Sequence, residues 1–244
     1  MMICLVWSGI VCCGQDDGES TRVVTTQPEL LQGKDDIVST EQYQYVATRI
    51  SSGVEFSRAT HRFDIHASGG IDATIHWVFT ETGVEGAEQS LLSKDYAVIS
   101  AHIVVKREDS DYTVSRTGNT VHLTGLFRGE KVDKSFTVDE YPLYTNPTVG
   151  LKGFILSGRN SSRFWLLRPD RPDILHMKVK FLDDEQIELN GRRVSAKTVK
   201  WGLTGIKSLF FSEVYWFSKT SGIFLKNISR RNGIVTELVS GTKE

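Results

Sequence analysis

From Glu41 onward, apolar and polar residues alternate with a period of two along most of the chain. That is the signature of strands, whose successive side chains face opposite sides of a sheet. Between Ala59 and Ala67, Phe63 and Ile65 share one face, while Arg62, Asp64 and His66 share the other. Ser68-Gly69-Gly70 interrupts the run, and the alternation resumes with Ile71, Ala73, Ile75, Trp77 and Phe79 on a single face. Residues opposed in an antiparallel pair share a face. A three-residue connection is therefore expected to set Ile65 opposite Ala73, Phe63 opposite Ile75 and His66 opposite Asp72.

The device recurs. Val121, Leu123 and Phe127 lead through Gly129-Glu130 to Val132, Phe136 and Val138, predicting Phe127 opposite Val132 and Leu123 opposite Phe136. Asn190-Gly191 is the strongest short hairpin signal in the sequence, and it predicts Ile187 opposite Val194 and Glu188 opposite Arg193. Asn232-Gly233 joins the last two expected strands. Hairpins at this spacing, with strands between them, imply about ten antiparallel strands and a mainly β fold.

One segment follows another period. After Asn146-Pro147, the residues Leu151, Phe154, Ile155 and Gly158 recur at helical spacing. Asn146 suits the cap and Pro147 the first helical position. Gly150 and Gly153 each weaken such a helix by about 1 kcal/mol relative to Ala, so it is expected to depend on packing Leu151, Phe154 and Ile155 against the sheet.

Composition narrows the function classes. The 244 residues suffice for one large domain or two small ones, with 39% hydrophobic and 24% charged residues. The 29 Lys and Arg against 30 Asp and Glu leave a formal charge of −1. That balance supplies no electrostatic reason to bind nucleic acid or an anionic membrane surface.

All three cysteines, Cys4, Cys12 and Cys13, fall in the opening MMICLVWSGIVCCG. Ile3 to Cys13 is uncharged and mostly apolar, too short to span a bilayer but of the length of a signal core. With Cys13 as a lipidated residue, Ile10 and Val11 fit a lipobox, although Cys12 stands where a small residue is usual and no Lys or Arg precedes the run. The alternative is a buried N-terminal element with inert thiols. The reading is a signal or lipoprotein-signal segment over 1–14, a polar tether over 15–40 and one domain over 41–241. Export to the bacterial envelope follows: a periplasmic address, with a membrane anchor through Cys13 if it is lipidated. Removing the segment leaves no thiol for a disulfide or a metal.

The entry strand Tyr43-Gln44-Tyr45-Val46, the Asn146-Pro147 helix and the closing Val214-Tyr215-Trp216-Phe217-Ser218 strand carry a likeness. That last strand leads through Lys219-Thr220-Ser221-Gly222 into Ile223-Phe224-Leu225-Lys226. Over roughly residues 41–240 the order resembles an uncharacterised family of bacterial envelope proteins with the half-barrel fold of lipoprotein carriers (LolA/LolB-type). The family pattern has an acidic residue where Asn146 stands. The resemblance implies a large curved antiparallel sheet, half-open, with one central helix on its concave face and an apolar cavity.

Large residues on the apolar faces, Phe127, Phe136, Trp165, Phe181, Phe210 and Trp216 among them, either close a core or line such a pocket. Leu151, Phe154, Ile155, Trp77, Trp165 and Trp216 are the candidate ligand-binding residues. For catalysis, His66 and Asp72, with Asp64 on the same face, could orient an imidazole as a general base. The plainer reading is a surface ion pair worth at most ~1 kcal/mol. His61 is expected beside Trp77. The basic and aromatic run Arg163-Phe164-Trp165-Leu166-Leu167-Arg168 reads as an amphipathic strand. Nucleophile elbows, phosphate loops, dinucleotide fingerprints and metal-binding helices are missing from the sequence. The expected function is binding or shuttling of an apolar small molecule or lipid, such as an acyl chain, without cofactor, metal or nucleic acid. The alternatives are an enzyme with a hydrophobic substrate in the same cup, and an interaction scaffold with a filled core.

Overall fold

A computed structural model of the chain describes residues 36–205 and 211–243. The signal segment, Cys13, most of the tether and Phe210 lie outside them. Eight strands lead into the fold: β1 (Ile37–Arg49), β2 (Glu55–His66), β3 (Ile71–Phe79), β4 (Glu85–Leu92), β5 (Val98–Val105), β6 (Ser110–Thr117), β7 (Thr120–Phe127) and β8 (Glu130–Thr137). A short β9 (Leu143–Tyr144) then precedes the helix α1 (Pro147–Ser157). The return comprises β10 (Ser161–Leu167), β11 (Ile174–Leu189), β12 (Arg192–Leu203), β13 (Ser212–Ser218), β14 (Phe224–Ser229) and β15 (Ile234–Lys243).

All fifteen strands join one sheet. Sequence neighbours pair throughout except β8 and β9, and β1 pairs with β15, so the first and last strands meet in the middle. The edges are β8 and β9, and β9 pairs with β10 in parallel. The result is a large, open, curved antiparallel sheet with one helix. The strand count exceeds the expected ten because several strands hide their period. In β4 three of the four inward positions are Gly86, Glu88 and Ser90, and Leu92 alone is a large apolar residue. The space that a Gly86 side chain would occupy is filled by the Trp77 indole. β1 likewise begins at Ile37, ahead of the expected entry at Glu41.

The Asn190-Gly191 hairpin has the expected register, with Ile187 opposite Val194 and Glu188 opposite Arg193. Asn190 and Gly191 sit at φ 50° and 72°, the conformation a type I′ turn requires. Two other hairpins are corrected. Phe63 faces Ala73, Ile65 faces Ile71, and His61 faces Ile75, so the β2–β3 register is shifted by two residues from the expectation. Between β7 and β8, Phe127 pairs with Glu130, Leu123 with Lys134 and Val121 with Phe136. There the turn is centred on Arg128-Gly129, with φ 53° and 76°. A type I′ turn puts its glycine at the second central position, whereas the expected register put Gly129 first. Both shifts are even, so every side chain stays on its assigned face.

α1 is capped as expected. Asn146 accepts from the Thr148 backbone N–H at 2.9 Å, and Gly158 closes the helix in the left-handed region at φ 69°. Leu151, Phe154 and Ile155 are buried in the main core. The two glycines let the helix approach its neighbours closely. A Cβ on Gly150 would lie 2.3 Å from the Tyr144 ring, and one on Gly153 would lie 2.0 Å from the Asp95 carbonyl oxygen. A buried ion pair of 2.6 Å, Lys152 to Glu41, ties the helix to β1. Lys152 also sits 4.8 Å from the Tyr96 ring centroid. Burial pushes the Glu41 carboxyl up, but bonds from Lys152, Lys243 and Tyr43 outweigh it and hold the group below its usual value.

The long β11–β12 hairpin adds a second layer on the convex side. Leu189, Ala196 and Leu225 are buried there beside Ile187, Val194, Trp216 and Leu238. Glu185 accepts from Trp216 Nε1 at 2.6 Å, and Asn190 Nδ2 donates to the Leu238 carbonyl at 2.9 Å.

Candidate ligand cavity

α1 fills one half of the sheet's interior and leaves the other half partly empty. The inward positions of adjacent strands explain the gap. Tyr45 and Ala47 of β1, Ser57, Ala59 and His61 of β2, and Ile75, Trp77 and Phe79 of β3 face this space. Three of them are small, and they are neighbours: Ala47 pairs with Ser57, and Tyr45 with Ala59. Interiors pack with few voids, so small residues side by side on a curved face leave room. The cavity measures about 110 Å³. Its far wall comes from Tyr215, Phe224 and Asn227, and its floor from Asn146 and Thr148 at the start of α1.

His61 is the unusual wall residue. It is 5% exposed and packs against Tyr45, with ring centroids 4.6 Å apart and the planes tilted by 49°. No side chain or backbone group among the described residues hydrogen-bonds its ring. Burial pushes its pKa down to about 3, so the imidazole is neutral and keeps one donor and one acceptor. Burial also pushes the Tyr45 and Tyr112 phenols up, so both hydroxyls stay protonated.

Two charged side chains line the cavity, and each has a partner. Arg168 holds Asp170 with both arms of its guanidinium, at 2.8 and 2.5 Å. Glu108 lies 3.6 Å from Arg128. Below the floor, Glu88 is fully buried and accepts from Ser90 and Thr145, both at 2.5 Å, while its other oxygen has no partner. Burial raises its pKa more than those two bonds lower it.

Of the six expected ligand residues, the structure places Trp77 alone in this cavity. Leu151 and Ile155 pack in the main core, 0% and 3% exposed. Phe154 borders a separate groove of about 450 Å³ that is also lined by Asp95, Arg116, Glu140 and Arg159. Trp165 points to the opposite side of β10 from the buried Phe164 and Leu166, stacks on His176 at 4.6 Å and donates to Asp139 at 2.7 Å. Trp216 lies under the β11–β12 hairpin on the convex side. The six expected residues are all large, whereas the room in this cavity comes from small ones. The readable signal was the cluster Ala47, Ser57 and Ala59 at inward positions.

His66 and Asp72 do meet, at 2.8 Å, but diagonally, because Asp72 is directly opposite Asp64. They and Asp64 share the convex face, away from the cavity. Burial raises the Asp64 carboxyl, but bonds from Arg62 and Thr40 outweigh it and keep it below its usual value. Ser57 and His61 do face the cavity, but four residues apart on one strand they are separated by about 13 Å, too far for a nucleophile and its base. Among the described residues, no group of three or more His, Cys, Asp or Glu is placed to hold a metal ion.

The geometry defines a class before it defines a relative: a β-barrel-like open sheet, one interior helix and a small apolar cavity beside it. Among solved structures, the chain is similar to a β-barrel-like protein of domain of unknown function DUF1849 from Brucella abortus. The TM-score is 0.59 at 11% identity, with 85% of this chain and 98% of that one covered. At this identity the likeness shows the fold. A DUF1089 family protein from Pseudomonas aeruginosa aligns at 10% identity and a TM-score of 0.40, covering 86% of this chain and 97% of that one. A protein with a YmcC-like fold from Bacteroides fragilis aligns at 7% and 0.32, covering 83% and 95%. Neither of the last two bears on function. No protein-family model matches the sequence, and no curated protein matches it. Of the expected resemblance, the comparison supports the β-barrel-like fold; membership of the lipoprotein-carrier family is not shown.

Proposed function

We propose that the chain is an exported envelope protein that binds an apolar small molecule or lipid moiety in the cavity beside α1. The observation that supports this most is the cavity itself. Its wall is made of aliphatic and aromatic side chains, its floor is a capped helix start, and small residues on adjacent strands keep it empty. Ligand sites are concave and mostly apolar, with a few placed polar groups. An apolar void of about 150 Å³ takes a benzene ring, so a space of about 110 Å³ suits a ring or a short length of chain. A longer acyl chain would extend through the mouth. Export rests on the apolar, uncharged run before Gln15-Asp16-Asp17 and on the absence of cysteine after Cys13.

A wall substitution tests the reading. Ala59→Phe puts a ring into the void from the β2 wall. Benzene, a single ring of matching size, is expected to bind the wild type, read from backbone amide shifts, and lose at least tenfold in affinity for the variant. The melting temperature should be unchanged or higher, since the added ring fills empty space. A ring that binds both proteins alike, or neither, would remove the cavity as the site.

A further inference from the structure

The polar atoms that face the cavity say what kind of apolar molecule fits it. His61, Ser57, Tyr45 and Tyr112 all line the space, and each is at least nine-tenths buried. None of their side chains has a hydrogen-bond partner among the described residues, and the Thr236 hydroxyl in the same wall is buried and unpartnered. Buried polar groups are ordinarily paired, and leaving them unpaired is costly. These groups are all uncharged. The charged groups near them are already engaged: Arg168 with Asp170, Glu108 with Arg128, and Lys152 with Glu41 beneath the floor. A carboxylate or sulfate entering the cavity would lose its water and meet no free cation, a severe penalty. A hydroxyl, ester or amide would gain partners instead.

Resting on the ligand-binding reading above, we propose that the cavity selects neutral amphiphiles: molecules with an apolar body and an uncharged hydrogen-bonding group that reaches His61 at one end of the wall or Ser57 at the other. Anionic fatty acids are discriminated against. The selection comes from two features together, the unpartnered neutral donors and acceptors in the wall and the pairing of its two charged lining side chains, Arg168 with Asp170 and Glu108 with Arg128.

A matched pair of small probes tests this without micelles. Hexan-1-ol and hexanoate differ in head group alone and can be titrated at pH 7.5 into isotope-labelled protein, with backbone amide shifts as the readout. Hexan-1-ol should shift the amides around Ser57, His61 and Trp77 and bind at least tenfold more tightly than hexanoate, whose charge would be buried unpaired. Losing one buried hydrogen bond should weaken hexan-1-ol about three- to tenfold in His61→Phe or in Ser57→Ala, according to the end of the wall its hydroxyl takes. Equal or tighter binding of hexanoate would overturn the selectivity while leaving the binding reading intact. Hexan-1-ol affinity unchanged in both variants would overturn the assigned contacts. Failure of both probes to shift any cavity amide would overturn the binding reading and the selectivity with it.

Discussion

At the scale of single residues, His61 shows most directly how burial sets chemistry. Its ring lies in a wall of aromatics, with no partner to stabilise a positive charge. An unfolded imidazole titrates near 6.5 and the folded one at about 3. The unfolded chain therefore binds the proton more tightly, and the stability held by neutral His61 is complete above about pH 6.5 and lost progressively toward pH 3. Urea midpoints measured at several pH values should fall across this window in the wild type and fall less in His61→Phe. Parallel curves for the two proteins would show that the imidazole is solvated. From the sequence, His61 was expected beside Trp77 on the inner face. It is on that face, but its immediate cross-strand neighbour is Ile75. A role as the polar centre of a cavity could not be read, because it depends on which small residues surround it.

At the scale of elements, hairpins and the helix were legible and their fit was not. Turn chemistry located Asn190-Gly191 to the residue, and a capping Asn with a following Pro located α1. Register failed wherever glycine alone marked the turn, since a shift of two residues leaves the apolar pattern unchanged. The glycines of α1 illustrate the same limit. Propensity makes them a defect, but contact makes them a requirement. Gly153→Ala should improve helix propensity by about 1 kcal/mol and still destabilise the protein, because its methyl group would meet the Asp95 carbonyl 2.0 Å away. Overpacking of this kind typically costs 1–3 kcal/mol. Chemical denaturation of the variant gives the sign, and a stabilised protein would mean that the helix is not seated against the β4–β5 loop.

At the scale of the whole molecule, the sheet meets itself at β1 and β15 and stays open between β8 and β9. Open edges invite pairing with other chains, and β8 carries Lys131, Asp133 and Lys134 along its edge. Lys134 donates to the Pro172 carbonyl at 3.3 Å across the opening. The address of the molecule lies in residues outside the described ones. Full-length protein expressed in bacteria with a clickable fatty acid should be processed, membrane-associated and labelled, and Cys13→Ser should abolish the label. Processing without label would leave export and remove the lipid anchor, and an unprocessed cytoplasmic protein would remove both.

The central claim is that the interior is divided, with α1 packed in one half and an apolar guest admitted to the other. Native mass spectrometry of the full chain purified without detergent or organic solvent tests it most directly. The wild type should carry a non-covalent adduct of a neutral organic molecule, or acquire one on incubation with hexan-1-ol. The Ala59→Phe protein should fly at its bare mass under the same conditions. Two bare proteins, neither taking up the alcohol, would contradict the claim and mark the interior as a packed core with a small unused void.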